Sequence, residues 1–109
     1  MAVELENHEF IYLLCEREFT RTEEDIYKIG RTNRKDMAMF ADYTKGSLLL
    51  FYSFCNNSKV VKNKIINKFK SQFIQRKDIG IDYFEGNHGE MIDCINTIIR
   101  ENNYGVNIH

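Results

Sequence analysis

Two short apolar runs each carry a tyrosine. "FIYLL" at 10–14 holds Tyr12, and "DIYKIG" at 25–30 holds Tyr27. The second run ends in Gly30 and is followed at once by Arg31, Thr32, Asn33, Arg34 and Lys35. A glycine lets the chain turn tightly off a strand, and Thr32 or Asn33 can cap a helix. The first amides of such a helix attract anions, and Arg31 and Arg34 flank them. The stretch therefore suggests capture of a phosphate-like anion beside Tyr27. Each tyrosine, taken alone, reads first as a strand aromatic whose hydroxyl meets a partner at the sheet edge.

Charge adds to this picture only through its distribution. The net charge of −1 argues against a strongly nucleic-acid-binding protein. Between Ser47 and Lys77, however, there is no Asp or Glu, while Lys59, Lys62, Lys64, Lys68, Lys70, Arg76 and Lys77 all fall there. All 16 acidic residues lie outside that block, so it can form a basic face on a near-neutral chain.

The 109 residues suggest a single domain spanning 1–109, and 43% apolar content is ample for one packed core. The three cysteines, Cys15, Cys55 and Cys94, are odd in number and widely spaced. They form neither a disulfide framework nor a zinc motif and read as small core residues. His8, His88 and His109 lack metal-ligand spacing, so no metal site is expected. No run approaches the length of a bilayer span, and the acidic opening "MAVELENHE" does not read as a signal peptide. The expectation is a soluble, intracellular protein without a membrane partner.

Residues 8–15 are apolar on both faces and read as a central strand. A polar connection follows, then the strand of Tyr27, stopped by Gly30. A helix is expected from the Thr32/Asn33 cap to about Tyr43, burying Met37, Phe40 and Ala41. A strand over 46–54 comes next, then a helix capped by Ser58 with Val61, Ile65, Ile66, Phe69 and Phe73 at helical spacing. A short strand at 81–84 and a helix at about 90–101, with Met91, Ile92, Ile95, Ile98 and Ile99 as its stripe, complete the chain. The order β-β-α-β-α-β-α predicts an α+β fold, a small antiparallel sheet flanked by helices.

In this order the motifs resemble the GIY-YIG nuclease superfamily. "FIY" at 10–12 stands where that family has Gly-Ile-Tyr, and "YKIG" at 27–30 looks like the Tyr-Lys-Ile-Gly form of its second motif. That form is typical of a branch carried by phages and large DNA viruses. "YTKGS" at 43–47, "NKIINKFKSQF" at 63–73 and "RKDIGIDYFEG" at 76–86 are similar to the same branch. The likeness covers about residues 9–100 and implies a central three-stranded antiparallel sheet, a DNA partner and a viral or phage origin. It implies also that Tyr12 and Tyr27 stand together at a scissile phosphate. An arginine on the first helix would bind that phosphate, and a glutamate on the next would hold one divalent metal. Such groups suit phosphodiester hydrolysis, which needs an activated nucleophile and cations on its oxygens. A phenol with its ordinary pKa of about 10 needs a neighbouring cation to act as a base near neutrality.

The pattern breaks at two of these positions. Nine residues past Gly30, where the resemblance expects arginine, stands Met39. Arg34 is five residues earlier, about 140° around a helix, and cannot substitute. Met39 is expected on the outer face, shared with Lys35 and Tyr43. Where the resemblance expects the metal-binding glutamate, just before "NKII", stands Lys62. Lys62 lies nearly in line with the buried stripe, where an ammonium must snorkel or meet an anion.

Three functions follow as expectations. The first is a nuclease-like DNA-binding domain with weakened or lost catalysis, using Arg31, Arg34, Lys35 and Lys62 on phosphates and needing no cofactor. The second is an active endonuclease dependent on Mg or Mn, with its ligand relocated to Glu85 or to a partner chain. The third is a protein–protein or inhibitor module on the same fold. The sequence leaves a homodimer open.

Overall fold

The computed structural model describes residues 8–104. The order of elements is β1 (Phe10–Cys15), α1 (Arg17–Thr22), β2 (Ile26–Thr32), a 3-10 helix (Ala38–Asp42), β3 (Leu48–Phe54), α2 (Ser58–Gln72), β4 (Ile74–Gln75), β5 (Tyr83–Glu85) and α3 (His88–Tyr104). All strand pairs are antiparallel, in the order β3-β1-β2-β5-β4. The α+β class is as expected, and the sheet has five strands rather than three. β1 is an interior strand flanked by β2 and β3, β2 is the middle strand of the five, and the short pair β4–β5 extends the sheet past β2.

β1 has both faces covered, as its unbroken apolar run requires. One face sends Ile11 and Leu13 into the main core, where α2 contributes Val61, Ile65 and Phe69 and α3 contributes Met91, Ile95 and Ile99. Those helix residues recur every four positions, which keeps them on one stripe. Phe69 meets Phe84 edge to face at 5.2 Å between centroids. The other face sends Tyr12 and Leu14 into a smaller cluster with Met39, packed by Phe40, Tyr43, Leu49 and Tyr52.

Several local expectations are corrected. The polar connection after β1 contains α1, held by one buried residue, Phe19, and by the Arg17 amide donating to Ser47 Oγ at 3.0 Å. The 81–84 strand is Tyr83–Glu85, and β4 was hidden because two residues carry no readable period. α3 extends beyond 90–101 at both ends.

The largest correction concerns 30–43. β2 continues through Gly30 to Thr32, and the only helix in this stretch is one short 3-10 segment, Ala38–Asp42. Gly30 is not a turn. It pairs with Tyr12 across the sheet, and a Cβ there would lie 2.2 Å from Tyr12 Cζ. The glycine is needed because the phenol ring crosses the backbone of β2. Asp36 and Met37 both take left-handed φ of 59°, which breaks the α-helical phase expected from a Thr32/Asn33 cap. The stripe therefore shifts. Met39 is buried, whereas Met37 is 50% exposed and Ala41 is exposed.

α2 is also capped differently. Asn57 at its N-cap makes no side-chain cap bond, and Ser58 is the first helical residue. Glu9 supplies the cap, its Oε1 accepting from the Ser58 amide at 2.7 Å and from the Ser58 hydroxyl. These bonds hold the Glu9 carboxyl below its usual pKa. Cys15 and Cys55 are buried and Cys94 is half-buried, all three as free thiols. Burial pushes the Cys55 thiol up to about 11. Among the described residues, no helix is long and apolar enough to cross a membrane.

Candidate functional site: the outer sheet face and its basic end

Strand alternation decides where the two tyrosines go. Tyr12 opposes Gly30 in the β1–β2 ladder, so both share the outer face. Tyr27 is three residues before Gly30, an odd separation, and opposes Phe84, a main-core residue. The two phenols therefore leave the sheet on opposite faces. The expectation of one shared concave site for them is overturned.

On the outer face, Tyr12 Oη lies 2.8 Å from Tyr43 Oη. Burial, then the bond to Tyr43, raises the Tyr12 phenol far above its ordinary value, and the Lys28 ammonium offsets this only in part. Lys28 sits two residues before Gly30, so alternation brings it to this face. Its ammonium lies 5.1 Å from the Tyr43 ring centroid and 5.9 Å from that of Tyr83. Tyr83 in turn donates to Glu16 Oε2 at 2.7 Å. Burial and this carboxylate together raise the Tyr83 phenol well above the usual range. Met39, at the arginine position implied by the resemblance, packs against Tyr12 and Leu14 instead of facing outward.

On the inner face, Tyr27 Oη donates to Asp25 Oδ1 at 3.1 Å and lies 3.3 Å from His88 Nδ1. Burial and the Asp25 contact push its phenol up to about 12. Neither tyrosine is set up to yield a proton near neutrality.

Lys62 meets an anion. Its Nζ lies 3.1 Å from Asp82 Oδ2, with both side chains roughly one-fifth to one-quarter exposed at 21% and 24%. Asp82 reaches the edge of β2 through its carbonyl, which accepts from the Ile29 amide at 3.0 Å. Glu85, the alternative metal ligand, pairs with Arg76 at 3.1 Å. Among the described residues no group of three or more His, Cys, Asp or Glu is placed to hold a metal ion.

The Arg31/Arg34 corner takes a form different from that expected. No α-helix begins there, and Arg34 NH1 is paired with Asp42 at 2.6 Å. Arg31, exposed at the end of β2, donates to Ser58 Oγ at 3.3 Å and so points to the start of α2. Lys35 is exposed on the loop before the 3-10 segment. Arg31, Thr32, Asn33, Asn57 and Lys59 line an open cleft of about 680 Å³ together with His8 and Glu9. Arg31 and Lys59 make a basic end to the sheet, although Arg34 and Lys62 lie in ion pairs of their own.

Lys28, Tyr43, Tyr83, Glu16 and Asp82 were not singled out from the sequence. Lys28 was within reach: period-two alternation from Gly30 places it, rather than Tyr27, on the face of Tyr12. Tyr43 and Asp82 come from loops, where no period marks a side chain's direction. No family model matches the chain, and neither a curated protein nor a solved structure matches it.

Proposed function

We propose that this chain binds DNA without hydrolysing it; its opposite-facing tyrosines do not assemble the catalytic pair that the GIY-YIG resemblance implies. The single observation that carries the loss of hydrolysis is the state of Tyr12. Its phenol is bonded to Tyr43, buried and raised in pKa, and Met39 packs where a phosphate-binding arginine would have to stand. Loss of one positioned electrostatic contact costs roughly 10² to 10³ in rate, and a second is missing if, as the resemblance implies, a metal-binding glutamate belongs where Lys62 pairs with Asp82.

Binding rests on a different part of the molecule. The cleft between Arg31 and Lys59 is open, and Glu9, the carboxylate within it, is committed to the start of α2. The exposed Lys70 stands about three turns on from Lys59 on the same side of α2, Lys64 points about 140° away, and α2 has no acidic residue. Phosphates are held by such cations without any metal, and the binding energy comes largely from counterion release.

The test is incubation of the purified protein with duplex DNA in the presence of magnesium or manganese. A retarded complex with intact DNA is the expected result. Strand cleavage above the level found with chelator contradicts the loss of chemistry, and absence of any complex at low salt contradicts DNA binding.

A further inference from the structure

The sheet ends in β3 on one side and in β4 on the other, and the two edges are built differently. β4 is two residues long and leads straight into Arg76, which leaves little for another strand to pair with. β3 is seven residues long and carries neither a charge nor a proline. Hydrogen bonding fixes which of its groups are free. The Cys55 amide donates to the Glu9 carbonyl at 2.9 Å, and antiparallel pairing alternates from there. Phe51 and Ser53 therefore turn their amides and carbonyls towards β1, opposite Leu13 and Ile11. Tyr52 and Phe54 turn theirs away from the sheet, where no further strand lies among the described residues. A bulge next to Phe51 ends the regular stretch on one side. On the other side α3 closes the edge: Asn102 Nδ2 donates to the Asn56 carbonyl at 2.7 Å, and Asn103 Oδ1 accepts from the Asn56 amide at 3.0 Å. The open edge is thus Phe51–Phe54.

We propose that this edge pairs with the same edge of a second copy, in an antiparallel homodimer whose two-fold axis passes at Ser53. With Ser53 opposite its own copy, Tyr52 of each chain exchanges amide–carbonyl bonds with Phe54 of the other, and every outward group of the open edge is met. Side-chain chemistry favours a copy over a foreign strand. Charged residues make up 28% of the chain, yet none lies on this edge to attract an acidic or basic segment. A second β3 brings the uncharged strand that the edge asks for, with no like charges opposed. On the outer face, Phe54, 40% exposed, comes to lie beside Tyr52 of the other copy. This extends the cross-strand pair that Phe54 already makes with Phe10. On the inner face Ser53 is small enough for two copies to meet at the axis. The dimer needs no ligand and is independent of the Arg31–Lys59 cleft.

The experiment is sedimentation velocity over a dilution series, joined to cross-linking of Ser53→Cys. The wild type is expected to pass from monomer to dimer as concentration rises, because so short a contact is weak. Phe54→Lys sets an ammonium into the paired row and should raise the dissociation constant about tenfold, while Phe54→Leu should change it less than about twofold. Ser53→Cys, a small change at the axis, guards against a folding defect in Phe54→Lys. Under mild copper-catalysed air oxidation it should form an intermolecular disulfide far faster than Lys64→Cys on the exposed side of α2, with the wild type as background for Cys15, Cys55 and Cys94. A wild type that stays monomeric throughout, or assemblies larger than a dimer, overturns the proposal. So does a dimer that Phe54→Lys leaves unchanged, or Ser53→Cys linking no faster than Lys64→Cys.

Discussion

Tyr12 and Tyr27 project from opposite faces of one sheet, the first onto Tyr43 at 2.8 Å and the second onto Asp25 at 3.1 Å. The separation follows from Gly30. It pairs with Tyr12, so a residue three positions earlier must point the other way. Any chemistry at the outer face thus has Lys28 beside Tyr12, and Tyr27 belongs to the packing around His88.

Gly30→Ala is expected to destabilise the fold by about 2 kcal/mol or more, in the range of an overpacked core. Its new Cβ would meet Tyr12 Cζ at 2.2 Å and the Tyr12 hydroxyl at 2.4 Å, leaving the ring nowhere to stay. Urea unfolding measures the loss. In a Tyr12→Leu background the same substitution should cost much less, because the atoms it strikes are gone. Equal costs in the two backgrounds would show that Gly30 serves the strand and not the ring.

Alkaline pH should weaken the fold through its tyrosines. Tyr27 is pushed up to about 12, and Tyr12 and Tyr83 are raised as well, above an unfolded value of about 10. A group with a raised folded pKa contributes stability that is complete below about pH 10 and is lost as pH climbs through the folded value. The urea midpoint should therefore hold steady up to about pH 9, begin to fall there because the Cys55 thiol is pushed up to about 11, and fall further between about 10 and 12 as the tyrosines add their share. Tyr27→Phe should flatten part of that fall. Phenolate absorbance rising with a single ordinary midpoint in the folded protein would contradict the burial and hydrogen bonding described for these rings.

Lys62 and Asp82 should prove coupled. Removing either leaves the other partly buried beside an apolar stripe, so Lys62→Ala and Asp82→Ala are each expected to cost about 1 kcal/mol. Partial exposure of both side chains limits the coupling in a double-mutant cycle to no more than about 1 kcal/mol, smaller at high salt. A cycle showing additive losses would mean that the pair contributes nothing and that Lys62 is held by its aliphatic stem.

Much of the scaffold was legible because it is periodic. The central strand, the stripes of α2 and α3 and the α+β class all follow from apolar spacing that solvent exclusion enforces. Lys62 stood out too, since a cation nearly in line with the buried stripe of α2 had either to snorkel or to meet an anion, and Asp82 supplies the anion. The 30–43 stretch was not legible. Thr32 and Asn33 have the chemistry of caps, yet β2 gains more by pairing through Gly30 to Thr32, and the left-handed Asp36 and Met37 reset the phase. Met39 consequently packs on Tyr12 where an exposed face was expected. The placing of Tyr27 failed for a simpler reason. Motif order along the chain says nothing of the face a side chain occupies, which is set by odd or even distance from Gly30.

The most direct test of the account is the salt dependence of duplex DNA binding by the wild type and by Arg31→Ala combined with Lys59→Ala. If the basic end of the sheet holds phosphates, log K should fall linearly with log salt, and the double variant should bind more weakly with a slope shallower by about two, one unit for each lost cation. No binding at low salt, or a double variant with the affinity and slope of the wild type, would contradict the claim that this domain holds DNA at the Arg31–Lys59 cleft.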